Sequence, residues 1–157
     1  MAQPDKTHIS WNDIESLCVN LHKKMKKARI SPDLIMGVSR GGLIPGRIIS
    51  GIFQNKNLST IRVKFYTKPG VTIARPQIIE DSAADVKGKS ILIVDDVIET
   101  GKTLSLVKRH FYSKGAKKLY LAVLFNKKGK KIVEPDFYGK LADGKWIVYP
   151  WEKYEKD

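Results

Sequence analysis

Apolar residues recur along this chain in two alternating periods. Ser10 precedes a segment in which Ile14, Leu17, Cys18, Leu21 and Met25 repeat at helical spacing. A helix capped by Ser10 is therefore predicted to start near Trp11 and to be over by Ser31-Pro32. A short apolar run, residues 34–38, stops at Ser39-Arg40-Gly41-Gly42, and Leu43, Ile44, Ile48, Ile49, Ile52 and Phe53 follow at mostly helical spacing. That reads as strand, glycine turn, helix. Residues 61–66 read as a further strand. Residues 67–77, with Pro69, Gly70 and Pro76, read as a long loop of the kind that often serves as a lid. Residues 90–94 are rich in β-branched side chains, which predicts a strand buried on both faces of a parallel sheet. Leu104, Val107 and Phe111 mark the helix after it, Gly115 is its stop, and residues 119–125 form the next strand. The remainder, with Pro135, Gly139 and Gly144, reads as irregular until an apolar stretch at 146–149. Strands alternating with helices predict an α/β fold with a mainly parallel sheet. No repeat, linker or low-complexity tract divides the chain, so residues 1–157 are expected to form a single domain.

The 157 residues suffice for a core without disulfide or metal staples. Cys18 is the single cysteine, which excludes an internal disulfide, and its place in the helical stripe predicts a buried thiol. No apolar run approaches the roughly 20 residues needed to span a bilayer. Met1-Ala2-Gln3-Pro4-Asp5 has no apolar signal core, which predicts a cytoplasmic protein with no membrane partner. A net charge of +13 invites a nucleic-acid reading. However, the basic runs (Lys23-Lys24, Lys26-Lys27, Lys117-Lys118, Lys127-Lys128, Lys130-Lys131) lack the interleaved aromatics that stack on bases. A basic field steers a small polyphosphate equally well, so nucleic acid is not the expected partner.

The chemistry concentrates in residues 91–104. A buried strand ends in Asp95-Asp96, and Val97-Ile98-Glu99 leads to Thr100-Gly101-Lys102-Thr103 at a helix start. Ligands of open α/β sheets bind at this strand edge, and a helix start with a glycine and two hydroxyls suits a phosphate. Gly101-Lys102-Thr103 mimics a triphosphate P-loop, but that motif needs a glycine five residues earlier, where Asp96 stands. Paired carboxylates suit a sugar diol or Mg²⁺. The combination calls for one phosphate, one sugar diol and a magnesium ion.

Three separated motifs, in order, then give a resemblance. Residues 94–103 resemble the phosphoribosyl-pyrophosphate signature of the type I phosphoribosyltransferases. Residues 37–46, Gly-Val-Ser-Arg-Gly-Gly-Leu-Ile-Pro-Gly, resemble the pyrophosphate loop of bacterial xanthine-guanine enzymes. Residues 145–151, Lys-Trp-Ile-Val-Tyr-Pro-Trp, resemble the base-binding hood of those enzymes and of archaeal purine enzymes. The opening Ile9-Ser10-Trp11 and Val63-Lys64-Phe65-Tyr66 also match, so the likeness spans roughly residues 9–152.

The resemblance implies the type I fold, a hood at about residues 126–157 and a mobile loop at 67–77. It assigns Asp95 and Asp96 to the ribose hydroxyls and Mg²⁺, Thr100, Gly101, Lys102 and Thr103 to the 5′-phosphate, and Ser39, Arg40, Gly41 and Gly42 to pyrophosphate. Glu99 falls where 6-oxopurine enzymes usually carry an aspartate that contacts purine N7 and is proposed as general acid/base. Glutamate keeps the charge and lengthens the reach, whereas adenine and uracil enzymes usually have a small residue there. Lys127 matches the lysine that donates to the 6-oxo group, with Lys128 beside it leaving the register open. Trp146 matches the aromatic that stacks on the base, and Ile147 supplies backbone contacts. Relatives often carry Ser-Tyr before the mobile loop where this chain has Phe65-Tyr66. Lys68 or Arg75 could reach pyrophosphate from that loop.

The implied function is transfer of a phosphoribosyl group from phosphoribosyl pyrophosphate to guanine, xanthine or hypoxanthine by a homodimer or homotetramer. A phosphoribosyl-pyrophosphate-sensing regulator of RNA or DNA, or a transferase for another base, are the alternatives. Preference among the three purines, the oligomeric state and the proton-transfer role of Glu99 are not legible at this level.

Overall fold

The computed structural model describes residues 5–66 and 74–156. Helix α1 spans Trp11–Lys27. Its N-terminus is closed by a reciprocal box in which Ser10 Oγ accepts from the Asp13 N–H at 3.1 Å and the Asp13 carboxylate accepts from the Ser10 N–H at 2.8 Å. Ile14, Leu17, Cys18, Leu21 and Met25 are its buried stripe, as their spacing predicts. Strand β2 (Leu34–Ser39) leads through the glycine turn to α2 (Leu43–Ile52). Strand β5 (Ser90–Ile98) leads to α3 (Lys102–Ser113), and β6 (Lys118–Lys127) follows.

These strands form a six-stranded sheet of order β4-β3-β2-β5-β6-β7, with β3 at Leu58–Tyr66, β4 at Arg75–Glu80 and β7 at Phe137–Ala142. All neighbours run parallel except β3 and β4. One core layer packs α1 and α2 against the sheet around Ile35, Leu92 and Val94. The other packs α3 around Met36, Ile91 and Ile93. Because both faces are covered, residues 91–94 are all fully buried and show no polar alternation.

Three differences from the sequence reading matter. First, β5 does not stop at Val94. It continues through the acidic pair to Ile98, because Asp95, Val97 and Ile98 keep pairing with Val123, Phe125 and Asn126 of β6. Second, the expected loop at 67–77 ends earlier, since Arg75, Pro76 and Gln77 pair antiparallel with β3; residues 67–73, Lys68 among them, lie outside the described residues. Proline is tolerated there because β4 is an edge strand. Third, the segment read as irregular hood contains β7, which joins the main sheet. Its disguise is Gly139, where a Cβ would sit 2.7 Å from the Leu124 carbonyl oxygen and 2.8 Å from a Leu17 methyl. A second, two-stranded parallel sheet pairs β1 (Lys6–His8) with β8 (Trp146–Val148) and is followed by a 3₁₀ turn at Pro150–Glu152; β8 and this turn lie in the stretch expected to form the hood.

Candidate active site

The C-terminal ends of β2 and β5 bring the two sequence-predicted loops into contact. The turn after β2 folds back on itself, the Gly42 N–H donating to the Val38 carbonyl at 2.8 Å. A Cβ on Gly42 would lie 2.2 Å from the Val94 carbonyl oxygen, and one on Gly41 would lie 2.5 Å from the Asp96 carboxylate. Both glycines are thus required by close approach: the first loop lies directly on the strand that carries the acidic pair. Ser39 is half-buried, Arg40 is exposed, and the peptide bond between them is cis. The Arg40 guanidinium donates to the Glu155 carboxylate at 2.5 Å.

The second loop is a phosphate cradle in its geometry. Gly101 caps α3 in the left-handed conformation, φ 79°, which favours glycine. A Cβ there would also meet Val133 O at 2.9 Å. The N-cap residue Gly101 has no side chain to cap α3, and apart from a long 3.4 Å donation from the Lys102 N–H to Thr100 Oγ1 the first amide hydrogens of the helix stay available for an anion. The Thr100 carbonyl accepts from the Ile132 N–H at 3.0 Å, which ties the loop to the segment after β6. Asp95, Glu99, Thr100, Gly101, Lys102 and Thr103 all border one cavity of about 550 Å³, which Phe65 and Ala74 close from the β3–β4 side.

Of the acidic pair, Asp95 borders that cavity, while the Asp96 carboxylate lies against Gly41 of the first loop. The Asp96 N–H donates to Asp95 Oδ1 at 2.9 Å and the Val97 N–H to Asp96 Oδ1 at 2.8 Å. Burial raises the pKa of both carboxyls, and the charge of Asp96 adds to the rise at Asp95. Such a pair favours a compensating cation.

Beside the cradle, three predicted side chains converge. Lys127 Nζ lies 3.3 Å from the Glu99 carboxylate and 5.9 Å from the centre of the Trp146 ring. The Lys127 side chain is 15 % exposed, whereas Lys128 is 69 % exposed and pairs with Asp143. Of the two, Lys127 is the one that meets Glu99 and Trp146. Lys131 holds the turn, donating to the carbonyls of Lys127 and Gly129. Trp146 is 56 % exposed, with the Lys127 ammonium over its ring, and it borders a neighbouring cavity shared with Trp11 and Tyr149. Ile147 is buried in the core and pairs with Thr7, so it can offer a ligand only backbone groups. Arg75, by contrast, is exposed on β4 and is not among the residues bordering the cavity.

Sequence reasoning missed Tyr149, Lys131 and Glu155. Tyr149 stood inside a quoted motif, but nothing in the pattern shows where its hydroxyl lies. Lys131 and Glu155 act through contacts with Lys127 and Arg40 that no local spacing reveals.

A parallel sheet whose ligand edge carries two interlocked glycine loops, a free helix start and a buried acidic pair defines an α/β enzyme class that handles phosphorylated sugars. The family model described as "Phosphoribosyl transferase domain" matches residues 5–154. The chain is 30 % identical to a xanthine-guanine phosphoribosyltransferase of Cereibacter sphaeroides, covering 92 % of this chain and 86 % of that one. It is 29 % identical to a hypoxanthine-guanine phosphoribosyltransferase of Schizosaccharomyces pombe, covering 95 % and 90 %. Among solved structures it resembles a purine phosphoribosyltransferase from Pyrococcus horikoshii, with TM-score 0.84, 38 % identity and coverage of 98 % and 97 %. The chain belongs to the phosphoribosyl transferase family.

Proposed function

We propose that this protein is a purine-salvage enzyme that transfers the 5-phosphoribosyl group of phosphoribosyl pyrophosphate to a 6-oxopurine and releases pyrophosphate. The observation that carries this reading is the Glu99–Lys127–Trp146 constellation beside a one-phosphate cradle. A ring stacked on Trp146 would meet an ammonium donor and a carboxylate acceptor within one ion pair's span. That matches a 6-oxo group and an N7–H on the same edge of a purine.

In this reading the α3 start, Thr100 and Thr103 hold the 5′-phosphate, and Asp95 and Asp96 accept from the ribose hydroxyls. The same carboxylates suit Mg²⁺. Among the described residues no third acid, histidine or cysteine gathers with them, and Mg²⁺ is commonly held by one or two carboxylates with substrate phosphates and water. When bound, the ion would neutralise charge on the leaving pyrophosphate. Ser39, Gly41, Gly42 and Arg40 bind that pyrophosphate, which requires Arg40 to leave Glu155. The C1′–oxygen bond breaks with its electron pair going to pyrophosphate, and the purine nitrogen lone pair forms the new C1′–N bond with inversion. Glu99 accepts the N7 proton as the ring loses its positive charge, while Lys127 donates to the 6-oxo oxygen. Positioning and electrostatics do the rest. The hood and the sheet act as one catalytic unit, in a cytoplasmic homodimer or homotetramer.

The test is a panel of purine and pyrimidine bases with phosphoribosyl pyrophosphate and Mg²⁺, reading nucleotide and pyrophosphate together. Turnover with guanine, xanthine or hypoxanthine is expected. Turnover only with adenine, uracil or no base, alongside tight salt-sensitive RNA binding, would reverse the assignment.

A further inference from the structure

Tyr149 follows β8 and its phenol ring is almost wholly enclosed, with 3 % of the residue exposed. The ring is fixed from two sides. It stacks parallel to Trp151 at 4.6 Å and 5°, and packs against Phe125 at 6.1 Å. Its backbone is fixed as well, the N–H donating to the Glu152 carboxylate at 2.9 Å. Yet the hydroxyl of this immobilised side chain is buried without a hydrogen-bond partner among the described residues. Buried polar groups are nearly always paired, and the exceptions call for a reason.

The surroundings supply one. Tyr149 packs in the same core cluster as Val94, the residue that leads directly into Asp95. Burial pushes the phenol far above its ordinary pKa, and the charges of Asp96 and then Asp95 push it in the same direction. Asp96 stands two positions beyond Val94 on β5, so its carboxylate lies on the same face of the sheet as Tyr149's cluster. Its Oδ1 accepts from the Val97 N–H, which leaves Oδ2 as an open acceptor.

We infer that Tyr149 is a positioning residue for the acidic pair, its hydroxyl donating to the Asp96 carboxylate once the ribose hydroxyls and the cation draw that carboxylate into its working orientation. This rests on the reading of Asp95 and Asp96 as the ribose and Mg²⁺ site. It makes the hood serve two ligands: Trp146 faces the base, and Tyr149, three residues further on, braces the sugar.

The test is Tyr149→Phe, which keeps the ring stack and removes only the hydroxyl. Deleting an unpaired buried hydroxyl should leave the unliganded protein no less stable, with the thermal midpoint unchanged or raised by about 1–3 °C. Calorimetric affinity for phosphoribosyl pyrophosphate with Mg²⁺ should fall about tenfold, since a hydrogen bond to a charged group is lost. The KM for the purine should stay within about twofold, because that contact runs through Trp146. A purely structural hydroxyl would lower the midpoint and leave the affinity alone. Unchanged affinity, or equal losses for both substrates, overturns the assignment. If the wild type itself binds no phosphoribosyl pyrophosphate, the functional reading falls, and this inference with it. If Tyr149→Phe does not fold, the hydroxyl is structural and the inference also fails.

Discussion

The two sides of the ligand edge are built from different materials. On the side proposed for phosphate, main chain meets main chain: Gly42 lies against the Val94 carbonyl, Gly101 against the Val133 carbonyl, and the first residues of α3 border the cavity. On the base side, the surfaces are side-chain termini, Glu99, Lys127 and Trp146, brought together from three separate stretches of chain. A backbone cradle recognises what every substrate of such an enzyme shares, a phosphate and a ribose. A side-chain pocket can be retuned without moving the fold. The replacement of the family's usual aspartate by Glu99 falls on the tunable side.

The largest effect should therefore come from the smallest change on the phosphate side. Gly42→Ala puts a methyl where Val94 O, Val38 N and Val38 O are 2.2, 2.8 and 2.8 Å away, all backbone atoms that cannot swing aside. The loop must shift, and a displacement of about 1 Å typically costs on the order of 100-fold in kcat/KM. Steady-state kinetics with phosphoribosyl pyrophosphate as the varied substrate would show this. A loss below about threefold would mean the loop tolerates movement, and the contrast drawn above would be wrong.

Removing a whole indole from the base side should do less. Trp146→Ala is expected to raise the KM for the purine by roughly 10- to 100-fold, the scale of one lost base stack, while the KM for phosphoribosyl pyrophosphate stays within about twofold. Trp146→Phe should recover most of the loss. Equal damage to both substrates would show that the hood organises the phosphate side too.

The same division explains what the sequence made legible. A backbone cradle needs particular residues at fixed local spacing, so Asp95-Asp96 and Thr100-Gly101-Lys102-Thr103 could be picked out as a candidate phosphate and sugar site from sequence alone. The side-chain pocket does not: Glu99 and Lys127 stand 28 positions apart. The contact between them appears only in the structure, as does the difference between the largely enclosed Lys127 and the exposed Lys128. Elements held by tertiary contacts were likewise hidden. Strand β1 is three residues, all exposed, and exists because β8 pairs with it. Strand β7 is interrupted by Gly139 and anchored by Lys24 of α1, whose ammonium donates to the Tyr138 carbonyl at 2.6 Å and sits over its ring. That contact also answers part of the +13 charge: one lysine of the first basic run fastens a helix to an edge strand.

The gentlest perturbation probes a side-chain tie that crosses between the two regions. Glu155, beyond the hood's 3₁₀ turn, holds Arg40 of the pyrophosphate loop at 2.5 Å, with side chains 47 % and 73 % exposed. An exposed pair of this kind contributes about 0–1 kcal/mol. A multiply charged pyrophosphate with its own backbone donors should displace it easily. Glu155 then acts as a weak internal competitor, and Glu155→Gln is expected to lower the KM for phosphoribosyl pyrophosphate by about two- to fivefold with kcat unchanged. Salt sharpens the test. Ionic strength screens an exposed pair, so the advantage of the variant should shrink between roughly 0.01 and 0.5 M salt. A KM that rises in Glu155→Gln would mean that Glu155 orients Arg40 for the ligand instead of competing with it, and the hood would then reach the phosphate side through a charge as well as through Tyr149.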